Sequence, residues 1–256
     1  MNVMVMAGTE DATNIIKKLS STGKFNILAT TTTSYGADIA KSAGADNVIS
    51  KGLTEEELIE VIKTNRIKIL VDATHPFAIV ATKNAIKAAK ITAIRYIRFE
   101  RPKEILNESR FIHKIHSFEE AASKALELTN GHDNILHLAG VLTLKSVLDK
   151  IESSRVFARV LPSLDSIQKC FDLGLKQKNI IAMQGVFSKE FNKALMEEYN
   201  ISLIITKESG ETGGTQTKIN AALELGVQVI IVMRPEIKEL ENEEVFNEIN
   251  KLYANL

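Results

Sequence analysis

Short apolar runs alternate with amphipathic helical patterns along almost the whole of this 256-residue chain, and that alternation constrains its fold most. Such runs read as strands buried on both faces. The helices between them must cross back over the sheet, so neighbouring strands run parallel. The first half predicts strands at Val3–Met6, Phe25–Ala29, Asn47–Ile49, Ile67–Val71 and Ala93–Ile97. Helices fall at Ala12–Leu19, Tyr35–Ala43, Thr54–Ile62 and from Pro76 to about Lys90. Thr9 is placed to cap the first helix, and Thr54 with Glu57 has capping-box spacing. The second half predicts strands at Phe111–Ile115, Asn134–Leu138, Val156–Val160, Ile180–Met183, Ile201–Ile205 and Val227–Met233. Its helices are Phe118–Leu128, Leu142–Ile151, Leu164–Leu173, Lys189–Tyr199, Gln216–Leu225 and a long final one, Glu236–Tyr253. The expected fold class is α/β: two Rossmann-like doubly wound domains with mainly parallel sheets, residues 1–104 and 105–256, joined in the polar stretch Lys103–Ser109. Ligands of such sheets bind beyond the carboxyl ends of the strands, and a cleft between the domains is the expected place.

Composition excludes several classes. The 32 basic and 32 acidic residues balance, which argues against a nucleic-acid partner. A single cysteine, Cys170, gives no disulfide framework or cysteine-rich metal site, and the histidines lack zinc-ligand spacing, so no metal site is expected. The longest apolar runs are too short to cross a bilayer, and Met1–Met6 lacks the parts of a signal peptide. A soluble, cytoplasmic protein without a membrane partner is expected, as a monomer or weak homodimer, since the final helix could cover its own sheet or a neighbour's.

Three stretches carry candidate chemistry. In Thr206-Lys-Glu-Ser-Gly-Glu-Thr-Gly-Gly-Thr215 an apolar strand breaks into a glycine-rich turn that opens a helix. Glycines admit a ligand to the backbone, and a helix N-terminus attracts negative charge. Lys207 and Lys218 add positive charge at each end; a plain αβ turn is the other reading. The turn after the first strand sits where a dinucleotide's pyrophosphate would bind, although Gly8 stands alone in place of three motif glycines. The second strand ends in Thr30-Thr-Thr-Thr33, where an NAD site would carry a carboxylate, so a bound dinucleotide would be NADP(H). Asp72-Ala-Thr-His-Pro-Phe77 ends the fourth strand. His75 there either donates a proton near neutrality or merely bonds to nearby backbone. Walker A, nucleophile-elbow and Tyr-x-x-x-Lys motifs do not occur.

Taken together, these stretches resemble the precorrin-6A reductase family of cobalamin biosynthesis over essentially the whole chain. The resemblance rests on Gly8-Thr9 with Glu10 or Asp11, Asp72-Ala-Thr-His-Pro-Phe77, Glu100-Arg101-Pro102, Thr206-Lys-x-Ser-Gly-x-x-Gly-Gly214 with Lys218, and Arg234-Pro235. The chain departs from the family pattern at Ala7, at Leu138-Ala139-Gly140 and at Gly185-Val186. The resemblance implies NADPH-dependent reduction of a ring double bond in a tetrapyrrole, (cobalt-)precorrin-6A. Gly8, Thr9 and Glu10 are then expected at the pyrophosphate, and Thr30, Thr31 and Thr32, with Tyr35 and Gly36, about the 2′-phosphate. His75, Pro76 and Phe77 are expected near the nicotinamide, with His75 as proton donor. Lys207, Glu208, Ser209, Gly210, Gly213, Gly214, Lys218 and Arg101 are expected to hold substrate carboxylates. A non-catalytic NADP- or tetrapyrrole-binding sensor is the alternative from another class. A reductase of a smaller acidic substrate is the enzyme alternative.

Overall fold

The computed structural model describes residues 1–104, 108–210 and 213–256; the expected boundary at residue 105 and Glu211-Thr212 of the glycine-rich loop lie outside them. The chain forms two compact units, Met1–Pro102 with Pro235–Leu256, and Lys103–Arg234.

The first unit opens with strands β1 (Asn2–Met6), β2 (Asn26–Thr31), β3 (Asn47–Ser50), β4 (Ile69–Asp72) and β5 (Arg95–Phe99). Between them lie helices α1 (Glu10–Ser20), α2 (Ser34–Ser42), α3 (Glu55–Thr64) and α4 (Ile79–Thr92). Strand period puts Val3 and Val5 of β1 in one core with Ile15, Ile16 and Leu19 of α1. Met4 and Met6 enter the other core, with Leu58 and Ile62 of α3 and Ile86 of α4. Each such aliphatic side chain contributes about 1.5–3 kcal/mol when fully buried. The expected caps form: Thr9 on α1, and Thr54 with Glu57 as a capping box on α3. Pro76 does not begin α4, which starts at Ile79 without a side-chain cap. The backbone turns first, Ala78 N–H donating to His75 O at 2.8 Å.

The second unit contains β6 (Ile112–Ile115), α5 (Phe118–Leu128), β7 (Asn134–His137), α6 (Leu144–Leu148), β8 (Val156–Val160), α7 (Leu164–Asp172), β9 (Ile180–Ala182), α8 (Lys189–Glu198), β10 (Ile201–Lys207), α9 (Thr215–Glu224) and β11 (Gln228–Val232). The helix expected over Leu142–Ile151 is shorter, because a 3-10 turn at Val141–Thr143 follows Gly140 at φ 84°.

The end of the chain differs most from expectation. In place of one helix over 236–253 there is a 3-10 turn (Lys238–Asn242), a strand β12 (Glu244–Phe246) and a short helix α10 (Ile249–Ala254). The apolar stripe from Leu240 to Val245 steps five residues, which falls out of helical phase. These residues return to the first unit, correcting the expected 105–256 domain. β12 covers the open edge of β5, the Arg95 guanidinium grips the Glu244 carboxylate with its Nε at 2.6 Å from Oε1, and Leu252 enters the first core.

The sheets read β12-β5-β4-β1-β2-β3 and β6-β11-β10-β7-β8-β9, with every described pairing parallel. Both have one order, third-second-first-fourth-fifth-sixth, counting β7 as the first strand of the second unit. They differ in the sixth strand, which comes from the chain's end in one and precedes the others in the other. The order reverses between β1 and β4 and between β7 and β10, which are the places where such sheets bind ligands. No helix among the described residues is long and apolar enough to cross a membrane.

Candidate functional site

At the first reversal point, Ala7 N–H donates to Thr30 O at 2.8 Å and the chain turns through Gly8 at φ 113°. Only glycine adopts this φ readily, and a Cβ built there meets nothing within 4 Å, so the turn opens onto space. Thr9 then does two jobs. Its hydroxyl oxygen accepts from Ala12 N–H at 3.1 Å and its proton goes to Ala73 O at 2.8 Å, binding the β1–α1 turn to the end of β4. Glu10 is exposed on the first turn of α1. An open glycine turn leading into a helix N-terminus suits a pyrophosphate.

The threonine run divides. Thr30 and Thr31 are buried, and Thr31 Oγ1 donates to Thr33 O at 3.0 Å. Thr32, Thr33 and Ser34 are the solvent-facing hydroxyl residues, and Thr33 caps α2 by accepting from Gly36 N–H at 3.1 Å. A Cβ on Gly36 would lie 3.1 Å from Thr33 Oγ1 and 3.2 Å from Thr31 Cβ, so that glycine serves close packing. Tyr35 is exposed. A cleft of about 250 Å³ runs along Thr30–Thr32 and is bounded by Lys51 and Gly52 beyond β3 and by Thr74 and Asn84. No acidic side chain is among its described lining residues. Thr33 was part of the hydroxyl run read from the sequence, whereas Ser34 and Lys51 were not singled out. The capping position of Thr33, three before Gly36, was the available signal.

The Asp72 box is braced from below. Buried Asp72 receives Arg98 Nη1 at 2.8 Å, Thr74 N–H at 3.0 Å and Thr74 Oγ1 at 2.7 Å on one oxygen, and Tyr96 O–H at 2.9 Å on the other. Arg98 is itself buried and reaches Glu100 at 3.4 Å. Burial, with the adjacent Asp72 charge, pushes the Tyr96 phenol well up, keeping it a neutral donor. This network fixes the loop that carries His75. There Phe77 N–H donates to His75 Nδ1 at 3.2 Å, so the neutral imidazole bears its proton on Nε2. Pro76 is buried, and the Phe77 ring lies 5.7 Å from that of His75.

At the second reversal point, β10 runs into the glycine loop. Glu208 sits otherwise than expected. Its carboxylate is buried and held by Arg234 through two bonds, Nε at 2.6 Å and Nη2 at 2.8 Å, which turns it away from a substrate role. Ser209 is also buried, its N–H donating to Thr215 Oγ1 at 3.3 Å. Gly210 O accepts from Gly213 N–H at 2.9 Å. A Cβ on Gly213 would lie 2.1 Å from Ser209 Oγ, so no larger residue fits. Gly214, at φ 63°, precedes α9, whose first turn has no side-chain cap. Lys218 lies back across this turn, its buried Nζ donating to Gly213 O at 2.8 Å. Arg101 belongs to the first unit and pairs with Asp11 at 2.5 Å.

Charge concentrates here. Burial, then the charges of Arg159 and Lys207, lower the Lys218 ammonium to about 7, with Glu104 opposing. Burial also lowers Lys207, and brings Arg159 down to about 10. His137, buried at the end of β7, falls to about 4 chiefly through burial and stays neutral; its Nε2 lies 3.0 Å from Thr143 Oγ1. Clustered, desolvated cations at a helix N-terminus are arranged for anions. The sequence revealed Lys207 and Lys218 but not Arg159 or His137. The signal for both was a charged or titratable residue near the carboxyl end of an otherwise apolar strand.

The chain matches the family described as precorrin-6x reductase CbiJ/CobK over residues 2–256. It is 48% identical to the cobalt-precorrin-6A reductase of Methanothermobacter thermautotrophicus over 98% of this chain and 82% of that one. It is 45% identical to the cobalt-precorrin-6A reductase of Methanocaldococcus jannaschii over 100% and 99%, and 38% identical to that of Priestia megaterium over 99% and 98%. A solved structure described as CobK precorrin-6A reductase superposes with a TM-score of 0.75 over 100% of this chain and 96% of that one. At 18% identity it bears on the fold.

Proposed function

This chain belongs to the precorrin-6x reductase CbiJ/CobK family, and from that premise we propose that it uses NADPH to reduce one ring double bond of cobalt-precorrin-6A, giving cobalt-precorrin-6B. Membership makes it an oxidoreductase of cobalamin biosynthesis, and a reductase of this kind implies a nicotinamide cofactor. The cobalt form is favoured because all three relatives named above carry that name. The observation that carries the choice of NADPH is the cleft beside β2: hydroxyls, Lys51 and no described carboxylate line it, and a carboxylate is what would repel a 2′-phosphate.

The open Gly8 turn fits the cofactor's pyrophosphate, and Thr32, Thr33 and Ser34 with the N–H groups of α2 would hold its 2′-phosphate. When bound, NADPH supplies a hydride to one carbon of the ring double bond, and a proton completes the reduction at its neighbour. Thr9 and the Asp72–Arg98–Thr74 network hold the two loops at the reversal point in place. His75, once a second proton is taken up on Nδ1, would give its Nε2–H as the proton source and return to the neutral ring. Lys207, Lys218 and the backbone of Ser209, Gly210, Gly213 and Gly214 would hold carboxylates at the rim of the substrate. Rate enhancement then comes largely from orienting the reactants.

Mixing the protein with NADPH and cobalt-precorrin-6A while following the reduced-nicotinamide absorbance tests this reading. Binding without oxidation of the cofactor would leave a sensor rather than a reductase. Thr32→Glu should shift the preference from NADPH towards NADH, and an unchanged preference would move the 2′-phosphate elsewhere.

A further inference from the structure

The second unit exposes large apolar side chains at the edge that carries its cations. Leu164 and Leu142, 87% and 82% exposed, are the most exposed large apolar side chains among the described residues. Val186 and Leu161 are 59% and 54% exposed. All four lie just beyond the carboxyl ends of β7, β8 and β9, three consecutive neighbours in the sheet. The Val141–Thr143 turn packs against α7, which Leu164 begins, so Leu142 and Leu164 come from adjoining segments. Val186 lies against the glycine loop, since a Cβ on Gly214 would meet its Cγ1 at 2.8 Å. Arg159, on β8 among these loops, stacks over Phe187 at 5.1 Å and donates to Asn192 Oδ1 at 3.1 Å.

Exposed leucines are common singly, but a group of them on the ligand edge of a sheet, beside desolvated cations, asks for a ligand with both characters. Surface loops gain nothing from leucine when water is their only neighbour. A broad ring system with an apolar face and a rim of carboxylates satisfies both halves. Resting on the substrate class proposed above, we infer that Leu142, Leu164 and Val186 form a seat for one face of the substrate ring, with Arg159 as a third carboxylate anchor beside Lys207 and Lys218. The seat explains why side chains so exposed are apolar, and why Val186 abuts the loop that holds the rim. A small acidic substrate would leave these leucines in water.

The test uses the whole protein and cobyrinic acid, a stable corrin polycarboxylate, with tricarballylate as a carboxylate probe that has no ring. Leu142→Ser with Leu164→Ser alters only exposed positions, so its melting temperature and NADPH affinity should match the wild type. Its affinity for cobyrinic acid should fall by at least about tenfold, from the apolar contact two leucines supply, while tricarballylate binds as before. Arg159→Gln should weaken both probes. Wild-type affinity for cobyrinic acid in the double variant overturns the seat. If Lys207→Ala weakens binding in that case, the substrate assignment of this unit survives the loss of the seat. If Lys207→Ala is also without effect, the assignment itself fails. Equal weakening of tricarballylate in the leucine variant would also overturn the seat, because a ringless ligand has nothing to place on it.

Discussion

Affinity of the second unit for a polycarboxylate should fall as pH rises through neutrality, with Lys218 responsible. Burial and two neighbouring cations hold its ammonium at about 7 in the folded protein, whereas an unfolded chain keeps a lysine charged to about 10.4. The sign follows from linkage. Below about pH 7 the group is charged in both states and its destabilising effect on the fold is complete. As pH rises towards the unfolded value the folded protein sheds the proton first, and the penalty relaxes. A bound carboxylate reverses the preference, so above about pH 7 binding must take up a proton. For one such group, affinity drops about tenfold from about pH 6 to pH 8 and about thirtyfold by pH 8.5, or about 1.4 and 2 kcal/mol. His137 stays neutral through this window at about 4, and Arg159 stays charged at about 10. Lys207, lowered by burial, can only steepen the fall. Calorimetric titration with cobyrinic acid across this range measures the slope. Lys218→Met, similar in length but without a titrating group, should bind weakly at low pH and flatten the profile. A flat wild-type profile, or an undiminished slope in the variant, would refute the assignment.

Three other outcomes follow from the geometry. Arg98→Met strands the buried Asp72 carboxylate and should cost about 3–5 kcal/mol; an unchanged denaturation midpoint would show that Thr74 and Tyr96 suffice. Gly213→Ala puts a Cβ into Ser209 Oγ and should abolish cobyrinic acid binding while sparing NADPH binding, with Ser209→Gly restoring part of it. His75→Gln should slow single-turnover reduction, and an unchanged rate would end the proton-donor role.

The sheets were legible because their central strands are apolar runs buried on both faces and the helices between them are amphipathic. The chain's end was not, since Val245 and Phe246 pair with β5 across a separation no local pattern encodes. The glycine loop was legible from its spacing. The fates of Glu208 and Arg101 were not, because their partners, Arg234 and Asp11, are set by tertiary structure. The Thr30–Thr33 run announced a hydroxyl-rich strand end, but which hydroxyls face solvent depends on where the strand stops and α2 begins. Arg159 looked like one polar interruption of a core strand.

The strand that completes the first sheet imposes an order on synthesis. While Met1–Pro102 emerges from a ribosome, β5 is a bare edge with no partner, and its partner β12 follows only after the whole second unit. At typical elongation rates that wait is about 8–30 s. The second unit is one continuous segment, so it can finish folding while the first still lacks its last strand. During that interval the unguarded β5 edge is open to another chain or a chaperone, and slowing translation between the two segments should raise aggregation of nascent chains before it affects the finished enzyme.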